Sequence, residues 1–162
     1  MDVTVRQYRK EDVPEMRLIW NDIVKEGASF PQEEPLGEEQ AESFFFRQSG
    51  CGVAQAGDEI VGLYILHPNN EGRCGHIANT SYAVKAGHRG KHIGEHLVRH
   101  SIKEAAALSF RILQFNAVVA TNAGAVHLYK KLGFTQLGLI PGGFRMDDGT
   151  YEDIIPFYLE LC

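Results

Sequence analysis

The segment 84–95 holds the residues whose types and spacing most directly suggest chemistry. It runs Val84-Lys85-Ala86-Gly87-His88-Arg89-Gly90-Lys91-His92-Ile93-Gly94-Glu95, from an apolar strand through a basic, glycine-containing turn into a helical pattern. The first N–H groups of a helix have no partner inside the helix, and the helix dipole makes that end positive. The segment therefore predicts a site for an anionic group, with a phosphorylated ligand as the obvious candidate.

The turn alone leaves its ligand undecided. A Walker P-loop would need G-x-x-x-x-G-K-[ST], which the chain lacks. A dinucleotide fingerprint has a different spacing from Gly87, Gly90 and Gly94, and it follows the first strand of its domain. Two interpretations remain about equally compatible with the turn: a phosphate site, and a helix entry with incidental glycines.

A second segment adds the information that the turn lacks. It runs Asn122-Ala123-Gly124-Ala125-Val126-His127-Leu128-Tyr129-Lys130-Lys131-Leu132-Gly133-Phe134. Together the two segments resemble the GCN5-related N-acetyltransferase (GNAT) family. The family's pyrophosphate signature, Arg/Gln-x-x-Gly-x-Gly/Ala, matches Arg89 to Gly94 except that His92 stands for the first glycine. Tyr-Lys-Lys-Leu-Gly-Phe is a common ending of the family's second motif.

The resemblance implies acetyl-CoA as the acetyl donor. The pyrophosphate would lie against the backbone of the turn and the first helical residues: Arg89, Gly90, Lys91, His92, Ile93, Gly94 and Glu95. His92 is expected to point outward in an ordinary helical or turn conformation. In the family, a bulge splays the strand before the turn from its neighbour. The pantetheine arm would then pair with the main chain of Tyr82, Ala83 and Val84, as an added strand does.

Acetyl transfer to an amine also requires a proton donor for the leaving group and a hydrogen-bond donor for the oxyanion. The departing thiolate needs a proton, and the resemblance implies Tyr129 as the acid that supplies it; the alternative is a core tyrosine. The developing oxyanion needs a donor, for which the backbone N–H of Val84 or its neighbour is the candidate. Asn122 begins the helix of Tyr129, where it can cap the helix and also contact the pantetheine arm.

The base is less well defined by the sequence. Several relatives have a glutamate where Asn79 stands, and an asparagine can orient an amine or a water but cannot take its proton. His76 is the nearest titratable residue upstream, although strand alternation places it on the face opposite Asn79. Asn116, on the neighbouring strand, is a candidate for binding the substrate. Deprotonation through water, without a protein base, is a further alternative.

Several acceptors fit the same motifs. The region 19–30 is similar to the phosphinothricin and methionine-sulfoximine acetyltransferases, and the segment 76–79 to fungal enzymes that acetylate toxic proline analogues. Both resemblances imply the amine of a small molecule, reached by direct attack on the thioester. Protein or peptide N-acetylation and a non-catalytic acyl-CoA sensor are the alternatives.

The pattern of the chain also predicts the elements that position these residues. Strands are predicted at 4–8, 52–56, 60–67, 76–84, 112–119, 134–139 and 154–161, and helices at 12–25, 38–47, 93–108 and 122–131. Asp12 is expected to cap the first helix, and Phe44 to Phe46 to supply bulk to the second. The order predicts one domain, residues 1–162, of the α/β (α+β) class: a mixed sheet flanked by about four helices. The resemblance implies a GNAT fold, with the sheet mostly antiparallel.

The bulk properties exclude several other classes. A net charge of −5 and a pI of about 5.8 do not suggest nucleic acid or an anionic membrane as a partner. Cys51, Cys74 and Cys162 are odd in number and lack metal-ligand spacing, so neither a disulfide framework nor a metal site is predicted. Without a membrane-length apolar run or a targeting segment, the expected location is cytoplasmic. A homodimer is one assembly compatible with the resemblance.

Overall fold

The computed structural model describes residues 2–162. Within this range the chain forms eight strands and four α-helices. The strands are β1 (Val3–Gln7), β2 (Gly50–Ala56), β3 (Glu59–Pro68), β4 (Ile77–Val84), β5 (Ile112–Val119), β6 (Thr135–Gln136), β7 (Ile140–Arg145) and β8 (Tyr151–Glu160). The helices are α1 (Val13–Glu26), α2 (Glu38–Phe46), α3 (Ile93–Ala107) and α4 (Ala123–Lys131).

All eight strands belong to one mixed sheet. Seven follow the order β1-β2-β3-β4-β5-β8-β6, and β7 pairs with β8. The contact between β4 and β5 is parallel, whereas the other strand pairs are antiparallel. This sheet with its four helices confirms the fold class predicted from the sequence.

Two hydrophobic layers cover the two faces of the sheet. On one face lie α1 and α2, whose apolar residues recur at helical spacing and bury Trp20 against Phe30, with ring centroids 4.4 Å apart. On the other face, α3 packs Leu97 and Val98 over Tyr64 and other buried residues of the sheet. Helices therefore pack on both faces of the sheet, and its interior strands β4 and β5 are held between them.

Two expectations about the N-terminal helices are wrong. The carboxylate of Asp12 does not cap α1, because it accepts hydrogen bonds from the Arg6 guanidinium at 2.7 Å and 3.0 Å and from the Arg9 amide at 2.7 Å. Phe45 is buried, but Phe46 is 79% exposed because it lies on the outer side of α2. The run of three phenylalanines therefore does not enter the core as a unit.

The C-terminal part also differs from the prediction. The strand expected at 134–139 is only Thr135–Gln136, and β7 was not predicted. Its sequence, Ile-Pro-Gly-Gly-Phe-Arg, lacks the alternation that marks strands, and it contains a proline and two glycines, which are depleted in strands. It forms through pairing with β8, which begins at Tyr151 rather than at 154. None of the helices found in residues 2–162 has the length and hydrophobicity to cross a membrane.

Candidate active site

A gap between β4 and β5 is the central feature of the site. The two strands pair only over residues 77–79 and 112–114 and then separate. At the last pair the side-chain Nδ2 of Asn79 donates to the carbonyl oxygen of Gln114 at 2.9 Å. In a continuing parallel ladder that oxygen would accept from the amide of Thr80. The Asn79 side chain therefore takes the place of the next rung, and the strands can separate without leaving this carbonyl unpaired.

The bulge that accompanies the splay is on the other strand from the one expected. β4 pairs with β3 in unbroken register from Ala78 to Val84. The irregularity is in β5, between Phe115 and Val118, where the register with β8 shifts. A bulge adds a residue to one strand and bends it, so β5 bends away while β4 stays straight on β3.

The register also shows which backbone groups of β4 reach the gap. The amide of Lys85 donates to the Val61 oxygen at 2.8 Å, so the amides of Ala83 and every second residue before it face β3. The backbone groups of Tyr82 and Val84 then face the gap, as expected. The expectation for Ala83 is corrected, since its main chain faces β3 and its side chain is buried.

A chain of hydroxyl groups anchors the separated part of β4 to α3. Thr80 Oγ1 donates to the Tyr82 hydroxyl at 2.7 Å, Tyr82 is 2.7 Å from Ser101 Oγ, and Ser101 donates to the Val98 oxygen at 2.8 Å. Because Ser101 uses its proton on Val98, Tyr82 must donate to Ser101. Burial raises the pKa of Tyr82, which keeps this proton in place. These hydrogen bonds to α3 therefore hold the part of β4 that does not pair with β5.

The turn after β4 presents free backbone donors. Gly87 and Gly90 have φ of +84° and +78°, which glycine adopts without steric cost. His88 N donates to the Lys85 oxygen at 3.0 Å and His96 N to the His92 oxygen at 3.2 Å. Between them, the amides of residues 89–95 donate to no group of residues 2–162. These amides lie at the positive end of α3, where an anion is stabilised.

His92 departs from the expected geometry in one respect. Its side chain is 80% exposed and so points outward, with Nδ1 3.9 Å from Glu95 Oε2. Its backbone, however, is left-handed, with φ of +62°, and not in an ordinary helical or turn conformation. The family's glycine at this position would adopt that conformation without strain. The turn therefore has a backbone conformation suited to glycine at a position where this chain has histidine.

Charged side chains surround the turn. Arg89 contacts Glu26, the last residue of α1, at 2.5 Å. Glu95 binds Lys131 of α4 at 3.0 Å and Arg99 at 2.9 Å, and these hydrogen bonds, Lys131 first, lower the pKa of the Glu95 carboxyl. The carboxylate in the first turn of α3 is thus neutralised by two cations.

The second motif places Tyr129 at the inner wall of the cleft. Its ring packs on Phe115 at 4.4 Å, Phe134 at 5.7 Å and Phe157 at 5.8 Å between centroids. Burial alone raises the pKa of its hydroxyl, without any hydrogen bond contributing. At the start of the same helix, Asn122 Oδ1 accepts from the Ala125 amide at 3.2 Å and so caps α4.

A cleft of about 570 Å³ joins these parts. Its lining includes seven of the fifteen residues predicted for the site: Asn79, Tyr82, Val84, Arg89, Asn116, Asn122 and Tyr129. A splayed strand pair, the beginning of the turn at Arg89 and a tyrosine of α4 thus line one cavity, and residues 90–95 lie outside its lining.

Comparison with known proteins identifies this arrangement. Residues 16–134 match the model of the acetyltransferase (GNAT) family. The chain belongs to the GNAT family of acetyltransferases. Acetyl-CoA is the co-substrate of this family.

Individual relatives agree with the family assignment. The N-acetyltransferase aca1 of Schizosaccharomyces pombe is 29% identical over 76% of this chain and 67% of its own length. The L-methionine sulfoximine/L-methionine sulfone acetyltransferase of Pseudomonas aeruginosa is 26% identical over 87% of this chain and 85% of its own. The structure of a GCN5-related N-acetyltransferase from Kribbella flavida is 31% identical over 98% and 97% of the two chains, with a TM-score of 0.89.

The side of the GNAT cleft away from α3 is formed by apolar and amide side chains. Ile23 of α1, Phe30 and Pro31 of the following loop and Met146 supply the apolar surface. The turn between β7 and β8 closes this side, because the Asp147 amide donates to the Gly27 oxygen at 3.0 Å. Farther along, Arg145 forms an ion pair with Glu33.

The candidates for orienting or deprotonating the amine differ in whether they line the cleft. Asn79 lines the cleft with one N–H of its Nδ2 bound to Gln114, and its Oδ1 accepts no hydrogen bond from residues 2–162. His76 precedes β4, is exposed and does not line the cleft. The structure thus brings Asn79, Asn116 and Tyr129 together and leaves His76 outside.

Sequence reasoning missed three residues that shape the site. Gln114 and Asn69 hold the amides of Asn79 and Asn116, and Glu26 binds Arg89 across the cleft. A signal existed for Gln114, since it alternates with buried residues on an interior strand. Asn69 is in a loop and Glu26 is at the end of a helix. Their contacts with Asn116 and Arg89 form only through tertiary folding, which no local sequence pattern indicates.

Proposed function

We propose that this GNAT chain transfers the acetyl group of acetyl-CoA to the amine of a small, amino-acid-like molecule. The observation that carries the proposal is the hydrogen bond from the Asp147 amide to the Gly27 oxygen, which closes the acceptor side of the cleft. A cleft of about 570 Å³ that is bounded on its acceptor side suits a small molecule better than an extended peptide. The Pseudomonas relative, whose name gives an amino-acid analogue as its acceptor, supports the same class.

In the proposed complex acetyl-CoA binds along the gap between β4 and β5. The pyrophosphate binds the free amides of residues 89–95, and the pantetheine arm pairs with the main chain of Tyr82 and Val84. Asn122, beside the arm, keeps its capping bond and offers its amide group as a further contact. The thioester then lies between the separated strands, near Asn79 and Tyr129.

The proposed reaction is a direct attack. The amine nitrogen forms a bond to the acetyl carbon, the C–S bond breaks, and the backbone N–H of Val84 or Tyr82 stabilises the oxyanion between these steps. Asn79 Oδ1 accepts a hydrogen bond from the amine and orients it. Tyr129 gives its proton to the departing sulfur and recovers one from the newly formed amide nitrogen, so the protons balance.

The proposal is tested by a thiol-release screen. Acetyl-CoA is offered with free amino acids, with polyamines and with peptides that have a free N-terminus, and CoA release is followed with a thiol reagent. Release with free amino acids supports the proposal. Release only with peptides would show a peptide N-acetyltransferase, and acetyl-CoA binding without release for any amine would show a sensor.

The protein's own thiols define the control for this screen. Cys74 and Cys162 are exposed and will react with the reagent. Cys51 is buried, and burial raises the pKa of its thiol to about 12, which keeps it unreactive near neutral pH. The double variant Cys74→Ser/Cys162→Ser therefore removes the background and leaves the cleft unchanged.

A further inference from the structure

Asn116 lies where the pleat of β5 does not fix its side chain. It is in the bulge between Phe115 and Val118, and its side chain lines the cleft. In a regular strand the alternation of faces sets the direction of each side chain, but a bulge removes that constraint. The orientation of the Asn116 amide therefore depends on the side chains that bind it.

A relay of amide groups binds it on two sides. Gln114 Nε2 donates to Asn116 Oδ1 at 3.0 Å, and Asn116 Nδ2 donates to Asn69 Oδ1 at 2.7 Å. Asn69 is itself anchored, because its backbone amide donates to the Ile77 oxygen at 2.7 Å. Its side chain thus reaches from the loop after β3, past the start of β4, to the bulge of β5.

The relay determines what Asn116 can offer a ligand. An asparagine amide has two N–H donors and an oxygen with two lone pairs. One donor is used on Asn69 and one lone pair on Gln114, so one N–H remains for the cleft. Asn79 has one of its two N–H donors bound to Gln114, so both lone pairs of its oxygen remain for a donor on the ligand. The two amides together complement a molecule with an amine and, beside it, an oxygen that accepts a hydrogen bond.

We infer that Asn69 is a positioning residue for the acceptor: it holds the Asn116 amide so that its free N–H binds the carboxylate of an α-amino acid while Asn79 binds the amine. This inference rests on the proposed function and names the part of the acceptor that is recognised. Asn69 touches neither substrate and acts through Asn116.

Three variants separate this role from a general structural one. Asn69→Leu keeps the size but removes the acceptor for Asn116, whereas Asn69→Asp keeps an oxygen that accepts from Asn116 Nδ2. Glu71→Gln, an exposed position in the same loop, is the matched control. The probes are L-methionine sulfone and the corresponding amine without its carboxylate, with Michaelis constants measured for each probe and for acetyl-CoA.

We expect Asn69→Leu to raise the KM for L-methionine sulfone about tenfold, in line with the loss of one oriented hydrogen bond. The KM for acetyl-CoA and for the amine without carboxylate should change less than about twofold, and Asn69→Asp should behave as wild type. An unchanged KM in Asn69→Leu would overturn the inference, as would an equal rise for both probes or an Asn69→Asp variant as impaired as Asn69→Leu. If Asn69→Leu does not fold, Asn69→Ala, which also removes the acceptor for Asn116, is measured in its place against the same outcomes.

Failure of the proposed function is distinguishable from failure of the inference. Wild-type protein that releases CoA with neither probe nor any other free amino acid would contradict the acceptor class itself. Normal wild-type turnover of the sulfone with no effect at Asn69 would contradict only the positioning role.

Discussion

The Nδ2 of Asn79 donates to the carbonyl oxygen of Gln114 at 2.9 Å, at the last residue pair that joins β4 to β5. One side chain thereby takes the place of the next rung of the parallel ladder, on a residue that lines the cleft. Position 79 is thus filled by a residue with a structural partner, and a carboxylate could not make the same bond.

Asn79→Asp tests this relationship. The aspartate cannot donate, so the Gln114 oxygen would lose its partner and face a negative charge. We expect the free energy of unfolding to fall by about 1–3 kcal/mol, measured by urea denaturation. Asn70→Asp, an exposed amide that accepts from Asn69, is the control and should stay within about 0.5 kcal/mol of wild type. An Asn79→Asp variant as stable as the wild type would show that the bond does not hold the strands.

Tyr129→Phe tests the proposed acid. The ring stays in its aromatic environment and only the hydroxyl is lost, so we expect kcat to fall about 100-fold with acetyl-CoA affinity nearly unchanged. The matched control is Tyr82→Phe, which removes a hydroxyl bound to Thr80 and Ser101 and should reduce stability more than it reduces kcat. Since burial raises the pKa of Tyr129 above its ordinary value near 10, its ionisation should not limit the rate below about pH 10. Unchanged turnover of Tyr129→Phe would remove this residue from the chemistry.

His92→Gly tests the left-handed position in the turn. Glycine relieves the crowding of Cβ at φ of +62°, so we expect the free energy of unfolding to rise by about 1 kcal/mol. Ser109→Gly, at φ of +70° outside the cleft, is the matched control and should gain a similar amount. Because the His92 ring points outward, the dissociation constant of acetyl-CoA should change less than about threefold. A much weaker complex would mean that the ring contacts the phosphates.

Hydrogen exchange tests the path of the donor. Acetyl-CoA should slow the exchange of the amides of Tyr82, Val84 and residues 89–95, which lack partners in the free protein or face the gap. Ala83, whose amide faces β3, should exchange at the same rate with and without the ligand. ATP serves as the control nucleotide. Protection by ATP but not by acetyl-CoA would contradict this path, as would protection of another surface.

The sequence predicted best those features that depend on the backbone preferences of neighbouring residues. Glycines in the turn, the helix start at Ile93 and the cap at Asn122 follow from residue type and spacing, and the structure has them where they were predicted. Side-chain partners across the sheet do not follow in this way. Asn79 and Gln114 are 35 positions apart, and Asn69 and Asn116 are 47 apart. Their contacts depend on register and on a bulge that no local pattern marks.

Product analysis tests whether the protein transfers the acetyl group of acetyl-CoA to a free amino acid. Protein, acetyl-CoA and L-methionine sulfone are incubated together, and free CoA and N-acetylated product are quantified by mass spectrometry, with Tyr129→Phe as the parallel sample. We expect equal amounts of CoA and acetylated product, formed far more slowly by the variant. CoA release without acetylated product, or no product from any free amino acid, would contradict it.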